Sequence, residues 1–85
     1  MWSVEYTAEA IRALSRMDRA LAQRIRSRIL ALARDPTAPN NNVKKLVGVA
    51  GYRLRIGDWR VVYTLERSVL TVIVVRVAHR GEVYR

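Results

Sequence analysis

Between Gly51 and Tyr84 the chain passes through three stretches of alternating residues, parted by two short polar breaks, and nothing else in it constrains the fold as tightly. The breaks are Gly57-Asp58, suited to a tight hairpin, and Arg67-Ser68. Side chains alternate faces along a strand. Tyr52, Leu54 and Ile56 therefore share one face of the first stretch, with Arg53 and Arg55 on the other. In the second, Trp59, Val61, Tyr63 and Leu65 oppose Arg60, Val62 and Thr64. In the third, strict parity sets Thr71, Ile73, Val75 and Val77 against Val72, Val74, Arg76 and, for a strand of that length, Arg80. With the apolar faces turned inward, Arg53, Arg55, Arg60, Arg76 and Arg80 gather on one exposed surface. Guanidinium groups match phosphate oxygens in pairs, so such a surface is suited to phosphate.

The N-terminal half supplies the cover for the other face. Trp2 to Tyr6 alternates apolar and polar residues, as a short half-buried strand does. Thr7 is a fitting N-cap for a helix over 8–16, on which Ala8, Ile11 and Leu14 recur at helical spacing. Asp18 caps a second helix over 19–34, with Leu21, Ile25, Ile29 and Leu32 along one side. Asp35-Pro36, Pro39 and the Asn40-Asn41-Asn42 run end it in a polar loop, after which Lys44 and Lys45 lead into the main sheet. The expected order is β-α-α-β-β-β: an α+β fold with two helices on one face of a mostly antiparallel, four-stranded sheet. Eighty-five residues leave room for one core, so residues 1–85 are read as a single domain.

Composition narrows the function. Sixteen basic and seven acidic side chains give a formal charge of +9, and residues 44–85 carry +6 of it, nine bases against three acids. The partner implied is a polyanion. With no cysteine, one histidine and no clustered acids, a metal centre has no ligand set. A catalytic triad and a nucleotide-binding P-loop are equally absent, and no cofactor is implied. The apolar run Val69–Val75 is too short to span a bilayer, and the N-terminus lacks a signal-peptide pattern. A soluble, cytoplasmic protein without membrane contact is expected.

Arginines and a tyrosine suffice for one metal-free reaction: attack of an RNA 2′-hydroxyl on its own phosphate. A base removes the 2′-proton, cations hold the phosphate as charge builds, and an acid protonates the departing 5′-oxygen. Tyr84, close to Arg80 in sequence, has cationic surroundings that favour a phenolate. Lys44 and Lys45, beside the asparagine loop, are placed for sequence-independent phosphate contact. His79 shares parity with Val77 and reads as a turn histidine or an RNA contact.

The segment Gly51-Tyr-Arg-Leu-Arg-Ile-Gly-Asp-Trp-Arg-Val-Val-Tyr63 and the ending His79-Arg-Gly-Glu-Val-Tyr84 resemble the RelE toxins of bacterial and archaeal toxin–antitoxin pairs. The resemblance covers nearly the whole chain. It implies a ribosome-dependent endoribonuclease that cuts mRNA in the A site and is silenced by a cognate antitoxin, with which it also sits on operator DNA. By position, it implies that Arg60 stabilises the transition-state phosphate, that Arg80 serves as charge stabiliser or general acid, and that Tyr84 orients the nucleotide or acts as base. Arg53, Arg55 and Arg76 would grip the RNA backbone. The related ParE toxins share the fold, poison DNA gyrase and lack the terminal tyrosine; a toxin without catalysis that acts only as a corepressor is the third reading.

Overall fold

The computed structural model describes residues 1–83. Its elements are β1 (Ser3–Tyr6), α1 (Ala8–Ser15), α2 (Arg19–Ala33), β2 (Val43–Lys45), β3 (Tyr52–Ile56), β4 (Trp59–Glu66), β5 (Thr71–His79) and a last short helix α3 (Arg80–Val83), with one 3-10 turn at Arg67–Val69. They form an α+β fold around a five-stranded sheet ordered β1-β5-β4-β3-β2. The α+β expectation is met, with five strands in place of four. The added strand, β2, is only Val-Lys-Lys; it pairs antiparallel with β3 and carries no apolar alternation of its own. All pairings are antiparallel except β1 with β5. Among the described residues no helix is long and apolar enough to cross a membrane.

Helices α1 and α2 begin where their capping residues put them. Thr7 Oγ1 accepts the Ala10 N–H at 3.2 Å and donates to the Val75 carbonyl at 2.8 Å. One side chain thus caps α1 and ties it to β5. Asp18 Oδ2 accepts from the N–H groups of Ala20 and Leu21. A cap of this kind is worth about 1 kcal/mol. From α2, Ile25, Ile29 and Leu32 are buried against Leu54, Ile56, Val61, Tyr63, Val72 and Val74 of the sheet. Each such side chain contributes roughly 1.5–3 kcal/mol by leaving water.

The inner face departs from expectation at two places. Ile11, expected in the core, is 49% exposed, while Ala10 and Leu14 are buried. Their spacing of four sets the inward side of α1, and an alanine there lets the helix approach β5. The second correction concerns β5. Val61 faces Val77 and Val62 faces Arg76, but Tyr63 then faces Val74, so Val75 is an extra residue, a β-bulge. The bulge reverses the alternation, so Val72 and Val74 are fully buried, whereas Ile73 and Val75, inward by strict parity, are only half-buried; Thr71, also inward by parity, is buried at the start of the strand.

Candidate nucleic-acid interface

Residues opposite one another in a β-ladder project to the same face, so the register alone builds the site. Lys44 pairs with Arg53, Arg53 with Val62, and Val62 with Arg76, a row across four strands. The next row runs from Arg55 to Arg60 to Ala78. At roughly 4.8 Å between strands, these five cations span about 15 Å. Lys44, Arg53, Arg55 and Arg60 lie on the face that the helices leave open, and Arg76, at the β5 end of the row, also borders a hollow with Glu9 and Arg12 of α1, with Arg16 and with Glu82. Asn41, Asn42, Lys44, Arg53, Arg55 and Arg60 line a shallow depression of about 230 Å³ on the open face.

Backbone and amide acceptors hold several of the guanidinium groups in place. Arg60 Nη1 donates to the carbonyls of Gly57 and Trp59, each at 2.9 Å. Gly57, at φ +58°, supplies the left-handed turn that presents its carbonyl to Arg60. Arg55 Nη2 donates to Asn42 Oδ1 at 3.2 Å, and the Arg55 N–H to the Asn42 carbonyl at 2.8 Å. Arg76 Nη2 donates to the Glu82 carbonyl at 3.3 Å. These partners are neutral, so the positive charge is oriented without being cancelled. Each guanidinium has five N–H groups, and those left over can meet phosphate oxygens.

Arg80 opens α3 at the same end of the sheet, its N–H bound to the Asp58 carbonyl at 2.8 Å. Arg60 and Arg80 are thus both anchored on the Gly57-Asp58 turn, one by side chain and one by backbone. Two of the expected contact residues go elsewhere. Lys45 stands opposite Tyr52, which places it on the helix side of the sheet. His79 stands opposite Trp59 and packs edge-on against it, ring centres 5.6 Å apart. That puts His79 on the Trp59 side, away from the cation rows. Tyr84 lies outside the described residues. From sequence Asn41 and Asn42 are loop residues only; their position just ahead of Lys44 is the one signal of their place in the depression.

Solved structures with the same fold include the RelBE2 toxin–antitoxin complex of Mycobacterium tuberculosis (TM-score 0.81, 24% identity, covering 93% of this chain and 98% of that one). The archaeal RelE–RelB complex of Pyrococcus horikoshii follows at TM-score 0.79 and 25% identity, covering 95% and 97%. The isolated RelE toxin of E. coli has TM-score 0.78 and 19% identity, covering 99% and 92%. No curated protein matches in sequence. The family of the ParE toxin of the type II toxin–antitoxin system parDE matches residues 4–84, nearly the entire chain. The chain therefore belongs to the ParE toxin family of type II toxin–antitoxin systems, within the wider RelE/ParE superfamily.

Proposed function

We propose that this toxin is a metal-independent endoribonuclease that cuts mRNA in the ribosomal A site and thereby stops translation. The observation that carries the reading is the pair of cross-strand rows holding Lys44, Arg53, Arg55, Arg60 and Arg76 on the uncovered sheet face, with Arg60 and Arg80 joined at one turn. In the reaction the 2′-oxygen bonds to phosphorus as its proton leaves to a base, and the bond from phosphorus to the 5′-oxygen breaks as that oxygen takes up a proton. The products are a 2′,3′-cyclic phosphate and a 5′-hydroxyl. Arg60 and Arg80 balance the charge that builds on the phosphate. Lys44, Arg53, Arg55 and Arg76 hold the backbone in register. Tyr84 is assigned the proton transfer or the positioning of the base.

A cognate antitoxin is the expected inhibitor, since the solved relatives include toxin–antitoxin complexes. The pair is assigned operator DNA as a second partner. The family match to ParE favours a second reading, inhibition of DNA gyrase. One experiment separates the two: in vitro translation with the purified toxin, followed by primer extension on the mRNA. Discrete cuts that vanish when the cut site carries a 2′-O-methyl sugar are expected of the nuclease. Arg60→Ala or Arg80→Ala should slow them about 10²–10³-fold with little change in ribosome binding. Intact mRNA together with trapped gyrase–DNA adducts would overturn the nuclease reading.

A further inference from the structure

The cations of the open face are not the only arginines at the β3–β4 turn. Helix α2 crosses the sheet from Ala33, whose carbonyl accepts the Trp2 N–H at 2.9 Å, to the neighbourhood of that turn. There Arg24 Nη2 lies 3.3 Å from where a side chain on Gly57 would begin. The carbonyl of the same Gly57 accepts from Arg60 at 2.9 Å. Two guanidinium groups from different layers thus flank one residue. One helical turn further along α2, Arg28 lines a hollow with Leu54, Pro39 and Asn40. The next residues of that loop, Asn41 and Asn42, line the open-face depression. The cationic surface therefore passes onto α2 at two points, round the turn and across the asparagine loop.

The charge pattern of α2 points the same way. Residues 19–34 hold five arginines and no acid. Arg24 and Arg28 stand four residues apart, a like-charged pair that disfavours the helix. A solvated helix face ordinarily mixes the two signs. The acids at the ends of α2 are already engaged: Asp18 caps the helix and Asp35 accepts from Thr37 Oγ1. Asp35 borders the Arg28 hollow but is one carboxylate against two guanidinium groups, and a polyanion laid over Arg24 and Arg28 would remove the repulsion that is left.

We infer that the RNA surface turns the edge of the sheet, so that a single-stranded RNA lying on Arg53, Arg55 and Arg60 continues to Arg24 and Arg28 on α2. The inference rests on the RNA reading of the open face. The path is about 5 Å between strands and 10 Å between layers, and about 6 Å along one helical turn. Even at the stacked spacing of about 3.4 Å per nucleotide, ten nucleotides cover it and three do not.

The test is fluorescence anisotropy on the full chain, with uncleavable 2′-O-methyl RNAs of three and ten nucleotides. Arg24→Gln/Arg28→Gln should weaken the ten-nucleotide RNA about tenfold and lower its salt slope by about 1.4, two phosphate contacts on a single strand. Binding of the three-nucleotide RNA should not change, and Arg24→Lys/Arg28→Lys should restore most of the lost affinity. Arg19→Gln/Arg34→Gln, on another side of α2, should leave both RNAs unaffected. Equal loss for both lengths, no loss for the longer RNA, or equal loss in the Arg19/Arg34 variant overturns the inference. So does intact RNA binding with loss of antitoxin binding, which would assign the helix face to the protein partner. If the unaltered chain binds neither RNA, the open-face reading falls as well. If binding depends on Arg53 and Arg55 but not on Arg24 and Arg28, only the extension onto α2 falls.

Discussion

Replacing Tyr63 by phenylalanine should make this toxin more stable. Tyr63 is fully buried at the centre of the sheet, and its hydroxyl has no hydrogen-bond partner among the described residues. Mutational data put the penalty for burying such a group at about 1–3 kcal/mol. Phenylalanine keeps the ring and its stacking on Tyr52, whose centre is 5.5 Å away. The void left by one oxygen, roughly 10 Å³, costs about 0.2 kcal/mol at about 24 cal/mol per Å³. A net gain of about 0.8–2.8 kcal/mol follows, read in a thermal melt as roughly 4–8 °C for each kcal/mol in a chain of this size. A pH arm checks the cause. Burial pushes the Tyr63 phenol up to about 12 from its ordinary 10, with the nearby Tyr52 adding to it. The folded state thus keeps the proton that the unfolded chain releases. This contribution to stability is whole below pH 10 and is lost as pH rises from 10 through 12. Tyr63→Phe should remove that part of the alkaline loss. A variant less stable than the parent by 1 kcal/mol or more would show that the hydroxyl has a partner inside the fold, and the reasoning would be wrong.

Ile25 is completely buried beneath the sheet, and Ile25→Ala should lower unfolding free energy by about 2–5 kcal/mol in urea titrations, with an unchanged m-value. Gly51 holds φ at +128°, and a β-carbon there would sit 3.0 Å from the Tyr63 carbonyl oxygen. Gly51→Ala should therefore lower the thermal midpoint, whereas Gly48→Ala, with nothing within 4 Å, should suffer only from its φ of +82°. On the open face, Arg55→Ala should weaken RNA binding and flatten the salt dependence by about 0.7, the contribution of one phosphate on a single strand; an unchanged slope would remove Arg55 from the contact.

Much of this architecture could be read from residue order. Thr7 and Asp18 mark the starts of α1 and α2 because a capping side chain acts locally, and the alternation of β3 and β4 places their core and arginine faces without further help. What could not be read depends on partners far away in the chain. The bulge at Val75 is a property of how β5 lies on β4, and nothing in Thr-Val-Ile-Val-Val announces it. Three residues of β2 become a strand only because β3 offers a free edge, and that register then sends Lys44 and Lys45 to opposite faces. The inward turn of α1 falls on Ala10, too small to register as a core residue by hydrophobicity alone. For the site, the clustering of Arg53, Arg55, Arg60 and Arg76 was visible as parity. The nearness of Arg24 to Gly57 was not, since it needs the packing of helix on sheet.

The parallel pairing of β1 with β5 bears on how the chain is born. Ser3 lies beside Thr71 and Tyr6 beside Val74, and Thr7 reaches a carbonyl 68 residues further on. Synthesis at about 5–20 residues per second keeps these partners apart for several seconds. Until β5 has been made, the first strand has nothing to pair with, α1 lacks its main support, and the arginine rows lack Arg76. Folding dominated by such distant contacts is slow even afterwards. A toxin of this fold therefore reaches its working shape only once β5 has been made, and in the interval before that a newly made antitoxin can meet it incomplete.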